Sequence, residues 1–407
     1  VKAAAAAAAI DAGDLPLGGG LLALLRPAML LLEPGGVLAV LSTCGAARED
    51  LPSWCRAERH RYLGVEALPD GKDRHLIERG SDSVPSGVRE TGMRLAPPAA
   101  GRFTAEQVLD AVPMPERADP SSGFAPRGAQ VETGGPSYPF DLLERDLVAP
   151  PEVARLYDQA VSAQWDATRD IPWAKVGRHP RELEAAVGQI MTFLAENELS
   201  ALYVPSKFVS RIHPAFAETA MFLGTQIADE ARHIDVFLKR ARAAGGGLGV
   251  SAVTTSRSLL SLLELEDFTE AAFLLSVLGE GTFLDLLRFV EDHAPDEATR
   301  EIASRTRADE SRHVHFGLAH VRHALAHDEG MYARLEAAVR RRAATLAGIG
   351  EAPATLQDAL TVYAAGGADP RAVAKGHEAY RLLLETMHEN RIRRLKHAGF
   401  TDVQAQT

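Results

Sequence analysis

The stretch that decides the fold is Ala228-Asp229-Glu230-Ala231-Arg232-His233, with its near copy Ala308-Asp309-Glu310-Ser311-Arg312-His313. In each, a glutamate and a histidine stand three positions apart, a spacing that puts both side chains on one face of an α-helix. Each pair follows another glutamate at nearly the same distance, Glu198 before Glu230 (230 − 198 = 32) and Glu280 before Glu310 (310 − 280 = 30). That interval is one helix out and one helix back, so the pattern reads as two helical hairpins with the same polar signature.

The surrounding apolar residues show which way these side chains point. Phe216, Ala220, Leu223, Ile227, Glu230, Ile234 and Phe237 step by threes and fours, which is the stripe of a core-facing helix, with Glu230 inside it. Phe273, Val277, Glu280, Leu284 and Leu287 form a second such stripe. Ala303, Thr306, Glu310, Gly317 and Val321 share a third face, and Met191, Leu194, Glu198, Leu202 and Pro205 a fourth. Glu196 is the rival to Glu198, but its own face carries the more polar Gln189, Thr192, Ser200 and Tyr203, so Glu198 is preferred.

Four carboxylates aimed at one core need a counter-charge. Burying a single unpaired carboxylate costs several kcal/mol, and four would also repel one another. Two divalent cations held by Glu198, Glu230, His233, Glu280, Glu310 and His313 satisfy the arrangement, and oxygen-rich ligation with one imidazole per ion suits iron or manganese better than zinc. A glutamate from each of two helices plus an ExxH pair from each of the other two is the ligand pattern of dimetal carboxylate bundles.

The segments ENELSAL, DEARH, GEGTFLDLL and DESRH resemble the ferritin-like di-iron carboxylate oxygenases and oxidases over positions 150 to 330. The resemblance implies a mainly α protein with a ferritin-like four-helix bundle, two iron ions (Fe/Fe, with Mn/Fe as the variant) and dioxygen as co-substrate. It also implies that Asp229, Asp309, Arg232 and Arg312 orient the histidines at the cofactor site. Two departures narrow the chemistry. Phe237 stands four positions after His233, where radical-storing reductase subunits of this superfamily carry tyrosine, so no stored tyrosyl radical is expected. Leu284 stands four positions after Glu280, where methane- and toluene-type hydroxylases carry threonine, so proton handling is expected to differ. Phe273, Val277, Phe283 and Ala201, a turn from the glutamates, are candidates to line an apolar pocket.

Composition bounds the remaining possibilities. The chain of 407 residues exceeds what one core usually serves. Its 46% hydrophobic and 24% charged content is that of an ordinary globular protein. A net charge of −11 without a basic block argues against nucleic-acid binding. Cys44 and Cys55 are too few for a disulfide framework and fit a reducing cytoplasm. The most apolar stretch near the N-terminus, LLALLRPAMLLL (21–32), is interrupted by Arg26 and Pro27 and is too short for a membrane span, so no membrane association is expected.

Along the chain, residues 1–80 read as a small α+β unit, 81–150 as a Pro/Gly-rich linker, and 151–407 as the helical domain. Strands are expected at VLAVLS (37–42), near YLGVEA (62–67) and at HLIER (75–79), with helices at LLALLRPAMLLL and DLPSWCRAERH. The opening VKAAAAAAA is low-complexity and yields no assignment. In the helical domain, long helices open at Pro180, Pro214, Phe268 and Pro295, with 244–266 as the crossover between the two pairs and further helices at 329–346 and 370–398.

The N-terminal unit resembles the TusA/SirA sulfur-carrier fold through IDAGDLPLGGGLLAL, EPGGVLAV, REDLPSWCRAERH and the YLGVEA to RHLIERG tail. The family's Cys-Pro-x-Pro is absent: the chain reads Leu17-Gly18-Gly19-Gly20 there, and leucine cannot carry persulfide sulfur. The resemblance thus implies a two-layer docking or stabilising module without sulfur chemistry. For the whole chain, the expected function is dioxygen-dependent hydroxylation, N-oxygenation or desaturation of a small organic molecule. Metal storage, peroxide detoxification and a non-catalytic docking role are the alternatives, disfavoured by the extra helices and the fused domain. The expected partners are that small-molecule substrate, an electron-donor protein and a second copy of the chain in a homodimer.

Overall fold

A computed structural model describes residues 5–81, 101–129, 131, 134–346 and 353–406. The chain divides into two units, Val1–Met93 with Gly128–Pro136, and Arg94–Arg127 with Ser137–Thr407.

The first unit is a two-layer α+β fold: β1 (Ala8–Gly13), α1 (Leu21–Leu30), β2 (Val37–Ser42), α2 (Ala47–Ala57), β3 (Arg61–Ala67) and β4 (Asp73–Glu78). Its sheet has the order β1-β2-β4-β3, with β1 parallel to β2 and the other pairs antiparallel. The apolar run VLAVLS takes an inner position and is almost wholly buried, whereas no residue of the edge strand β3 is fully buried. Leu21, Leu25 and Met29 of α1 and Leu51, Trp54 and Cys55 of α2 close one core with Leu38, Val40 and Ile77. The low-complexity opening conceals β1: alanine has little strand preference, and only pairing with Leu38–Ser42 organises it.

Leu17 opens a single 3-10 turn, Leu17–Gly19, ahead of α1. Cys55 is buried and Cys44 partly so, both unpaired. Burial pushes the Cys55 thiol up to about 12, so its nucleophilic thiolate is scarce at neutral pH. Native protein is therefore expected to react with maleimide only at Cys44 and at both cysteines once unfolded, as intact-mass analysis would show. Rapid native labelling of Cys55 would contradict this core.

The second unit is built on α5 (Arg181–Val209), α6 (Ala217–Ala243), a third rod running from α8 (Phe268–Ala272) through a π-helical segment, Phe273–Glu280, into α9 (Gly281–Asp292), and α10 (Glu297–His327). These are the four long helices expected from the sequence. Pro180 precedes α5, and Asp267 and Asp296 cap α8 and α10 through their carboxylates. Helix α10 thus starts just beyond Pro295. A shorter α7 (Val253–Leu263) lies within the crossover, and α11 (Met331–Leu346) and α13 (Pro370–His397) match the expected later helices. Helices α3 (Ala105–Leu109), α4 (Val153–Ser162) and α12 (Ala354–Ala365) are additional to that reading, α4 packing on α6 and α12 on α5 and α13. The protein is mainly α, with a ferritin-like pairing of α5 with α6 and of the third rod with α10.

The 81–150 stretch divides differently from its composition. Residues 82–100 lie outside the described residues, but Ala118, Val148 and Ala149 are buried in the bundle core. Arg127 pairs with buried Glu218 and also donates to the Ala215 carbonyl at 2.7 Å. Proline and glycine fix turns without preventing the residues between them from packing. Among the described residues no helix is long and apolar enough to cross a membrane.

Candidate metal centre

The bundle interior holds two apolar layers. One contains Phe208 of α5, Phe222 of α6, Phe273 of the π segment and Phe316 of α10; the other contains Met191, Val236, Leu287 and Ala303 of the same four rods. On every rod the expected glutamate falls between the residues of one layer and those of the other. Glu198, Glu230, His233, Glu280, Glu310 and His313 are all buried at this level, none more than 5% exposed. Glu196 is only partly buried and stands outside the group, so Glu198 is the inward glutamate of α5.

Two four-residue clusters result: Glu198, Glu230, His233 and Glu310, and Glu230, Glu280, Glu310 and His313, each with its donor atoms within 4.8 Å of one another. Glu230 and Glu310 belong to both. Glu230 presents Oε2 to His233 Nδ1 at 3.3 Å and Oε1 to His313 Nδ1 at 3.0 Å. Glu310 presents Oε1 to His233 Nδ1 at 3.2 Å and Oε2 to His313 Nδ1 at 3.4 Å. Glu198 lies beside the His233 end, its Oε2 3.8 Å from Nδ1, and Glu280 belongs to the His313 end.

These atoms converge without satisfying one another. Glu198 Oε1, Glu230 Oε1, Glu280 Oε2, both Glu310 oxygens and His313 Nδ1 are buried and lack a hydrogen-bond partner. Unmet buried polar atoms are costly, and several aimed at common points are what a cation would satisfy. The electrostatics agree. Burial, reinforced by the charges of Glu310 and Glu230, pushes the Glu198 carboxyl well above its usual range, and Glu280 is raised by burial and the same two neighbours. His233 and His313 are raised despite burial, because carboxylates surround them. The residues present fit a pair of divalent ions.

The histidines are oriented from behind. His233 Nε2 meets Asp309 Oδ2 at 3.1 Å and His313 Nε2 meets Asp229 Oδ2 at 3.3 Å, so each aspartate holds the histidine of the opposite helix. An aspartate that accepts the Nε2 proton leaves the Nδ1 lone pair facing the carboxylates. Arg232 and Arg312 each donate to both Asp229 and Asp309, compensating the two buried charges. Hydrogen bonds to His233, Arg232 and Trp165 hold the Asp309 carboxyl below its usual range, outweighing a burial effect that acts the other way.

Three contributors have no sequence motif. Trp165 Nε1 donates to Asp309 Oδ2 at 2.7 Å, and its ring lies under the Arg232 guanidinium, 4.8 Å from the centroid. Gln164 donates to Asp229 Oδ1 at 2.9 Å and accepts from Arg232 at 2.7 Å. Gln226 donates to Glu280 Oε1 at 2.9 Å. Gln226 sits four positions before Glu230, on the same face, which is the one signal that could have marked it.

Of the apolar residues expected to line a pocket, Phe273 and Phe283 border two separate pockets. Val277 packs against Gly317, where a Cβ would come 2.6 Å from Ser276, and Phe283 stacks on Phe193 at 6.0 Å. A narrow cavity of about 20 Å³, space for about one water, has Gln226, Ser276, Leu223, Leu275 and Phe316 among its lining residues.

Replacing Asp309 by asparagine, which keeps the shape but reverses the preferred hydrogen-bond direction at His233, is expected to weaken metal binding about 10–100-fold. Competition with a chromophoric chelator would measure it, and unchanged affinity would show that Asp309 does not orient the histidine.

No family model matches the chain, and no curated protein matches it. Among solved structures it is similar to R2-like ligand-binding oxidases. One point mutant of such an oxidase, with an anaerobically reconstituted Mn/Fe cofactor, is 20% identical over 60% of this chain and 91% of that one, with a TM-score of 0.47. Another, with an aerobically reconstituted Fe/Fe cofactor, is 19% identical over 60% of this chain and 92% of that one, with a TM-score of 0.46.

Proposed function

We propose that the chain is a dioxygen-dependent oxidoreductase with a dimetal carboxylate centre, Fe/Fe or Mn/Fe, that hydroxylates, N-oxygenates or desaturates a small organic substrate. The observation that carries this reading is the doubly shared pair, Glu230 and Glu310, each offering one oxygen to the His233 side and the other to the His313 side. In it, Glu198 and His233 complete one position and Glu280 and His313 the other. Once bound, the metal pair supplies the electrons that reduce dioxygen. The protein's part is to fix both histidines through Asp309 and Asp229 and to keep bulk water out with the two apolar layers. Gln226 anchors one Glu280 oxygen and borders the narrow cavity, which supports entry of a small apolar reactant from that side.

The test is anaerobic loading with ferrous iron, followed by air and a panel of small organic substrates. The expected result is oxygen consumption that rises with one substrate and yields an oxidised product in proportion. Oxygen uptake that ends in ferric iron alone, whatever the substrate, would favour metal storage instead.

A further inference from the structure

A second group of metal-binding side chains gathers away from the bundle centre. His323 and His327 are four positions apart on α10, so their rings leave the same face, and Asp146 in the turn Arg145–Leu147 stands against them. One donor atom from each of the three lies within 4.8 Å of the other two. His323 Nε2 is 3.4 Å from Asp146 Oδ1, and the two imidazole centroids are 4.3 Å apart.

The hydrogen bonds leave these donors available. His327 Nδ1 lies 2.8 Å from the His323 carbonyl oxygen, which can only accept, so Nδ1 carries the proton and Nε2 keeps its lone pair. A backbone carbonyl behind one ring nitrogen is a common way of orienting a metal-bound histidine. His323 Nε2 is screened from water and makes no hydrogen bond, although a carboxylate is near. Asp146 Oδ1, the oxygen near His323, accepts the Arg145 Nε–H at 3.2 Å, and the carboxylate keeps further lone pairs with which to reach a cation. The arginine's charge opposes that cation, so the site should bind more weakly than the bundle.

We propose that Asp146, His323 and His327 form a two-histidine, one-carboxylate site for a divalent transition ion of the zinc class. Two imidazoles exclude magnesium and calcium as the natural occupants, and three protein donors leave a position for water. His323 lies ten positions beyond His313 (323 − 313 = 10), roughly 15 Å along the helix axis, so this ion is separate from any in the bundle. It would clamp the Arg145–Leu147 turn to α10.

The experiment compares the full chain with His327→Ala and Asp146→Asn, all first loaded with ferrous iron, then incubated with Zn²⁺, desalted and analysed for both metals. The expected result is one more zinc per chain in the wild type than in either variant, and a melting temperature raised by Zn²⁺ in the wild type only. Because the readout is a difference between chains, it stands whether or not the bundle takes up iron. His327 is exposed, so its replacement should leave the fold intact, and far-UV circular dichroism checks this. Equal zinc in wild type and His327→Ala, with unchanged His323 and His327 ring resonances on adding Zn²⁺ to the wild type, would overturn the proposal.

Discussion

Glu310→Gln is expected to lose nearly all bound metal and all substrate turnover, yet to be at least as stable as the wild type when both are metal-free. The two effects have one cause. Glu310 serves both metal positions, so its loss removes a donor from each, whereas Glu198→Gln removes a donor from one and should leave about one ion per chain of the two the pattern accommodates. Without metal, the same carboxylate is buried beside three others and both its oxygens are unpartnered. Neutral glutamine of similar shape relieves the repulsion among the four carboxylates, which in the metal-free chain no cation offsets. Helicity should persist because the apolar layers on either side remain. Metal analysis and thermal melts in chelator measure both halves. Full metal content in Glu310→Gln, or a metal-free variant much less stable than metal-free wild type, would show that the carboxylate plays a different role.

How much of this centre could be read in advance follows from which contacts are local. The ExxH pairs are legible because a three-position spacing on a helix fixes a face, and Glu198 is separable from Glu196 because the residues around each differ in polarity. The crossing of Asp309 to His233 and Asp229 to His313 is not legible, since periodicity within one helix cannot say which helix lies opposite. Trp165 and Gln164 reach the site from the segment that follows α4, and nothing in their spacing announces it. The π-helical segment Phe273–Glu280 is hidden for another reason. FLLSVLGE is apolar almost throughout, so its side chains mark no solvent face from which a longer turn could be told from an ordinary one. The N-terminal strand β1 is likewise set by its partner and not by its alanines.

Arg240→Met is expected to destabilise the chain by about 3–5 kcal/mol, the usual cost of removing one partner from a buried charge pair, while leaving the metal content unchanged. Arg240 is fully buried near the end of α6 and grips two other helices. Its guanidinium donates to both oxygens of Glu184 in the first turn of α5, at 3.0 and 3.3 Å, and to Asp296, the cap of α10, at 3.0 Å. Without it, Glu184 is left buried and uncompensated. The double replacement Arg240→Met with Glu184→Leu should therefore recover much of the loss, because apolar residues of similar volume substitute well for buried ion pairs. Asp296 adds a pH signature. Burial pulls its carboxyl upward, but hydrogen bonds from Thr299 and the Arg240 charge prevail and hold it below the usual range. A depressed carboxyl contributes stability that is present above its unfolded value, about 4, and is lost as the pH falls through the lower folded value. Arg240→Met should thus weaken the acid dependence of stability as well as its neutral-pH level. Denaturant melts of the single and double variants between about pH 3 and pH 7 would measure both. A single variant as stable as the wild type, or a double variant no better than the single, would mean that Arg240 does not hold the three helix ends together.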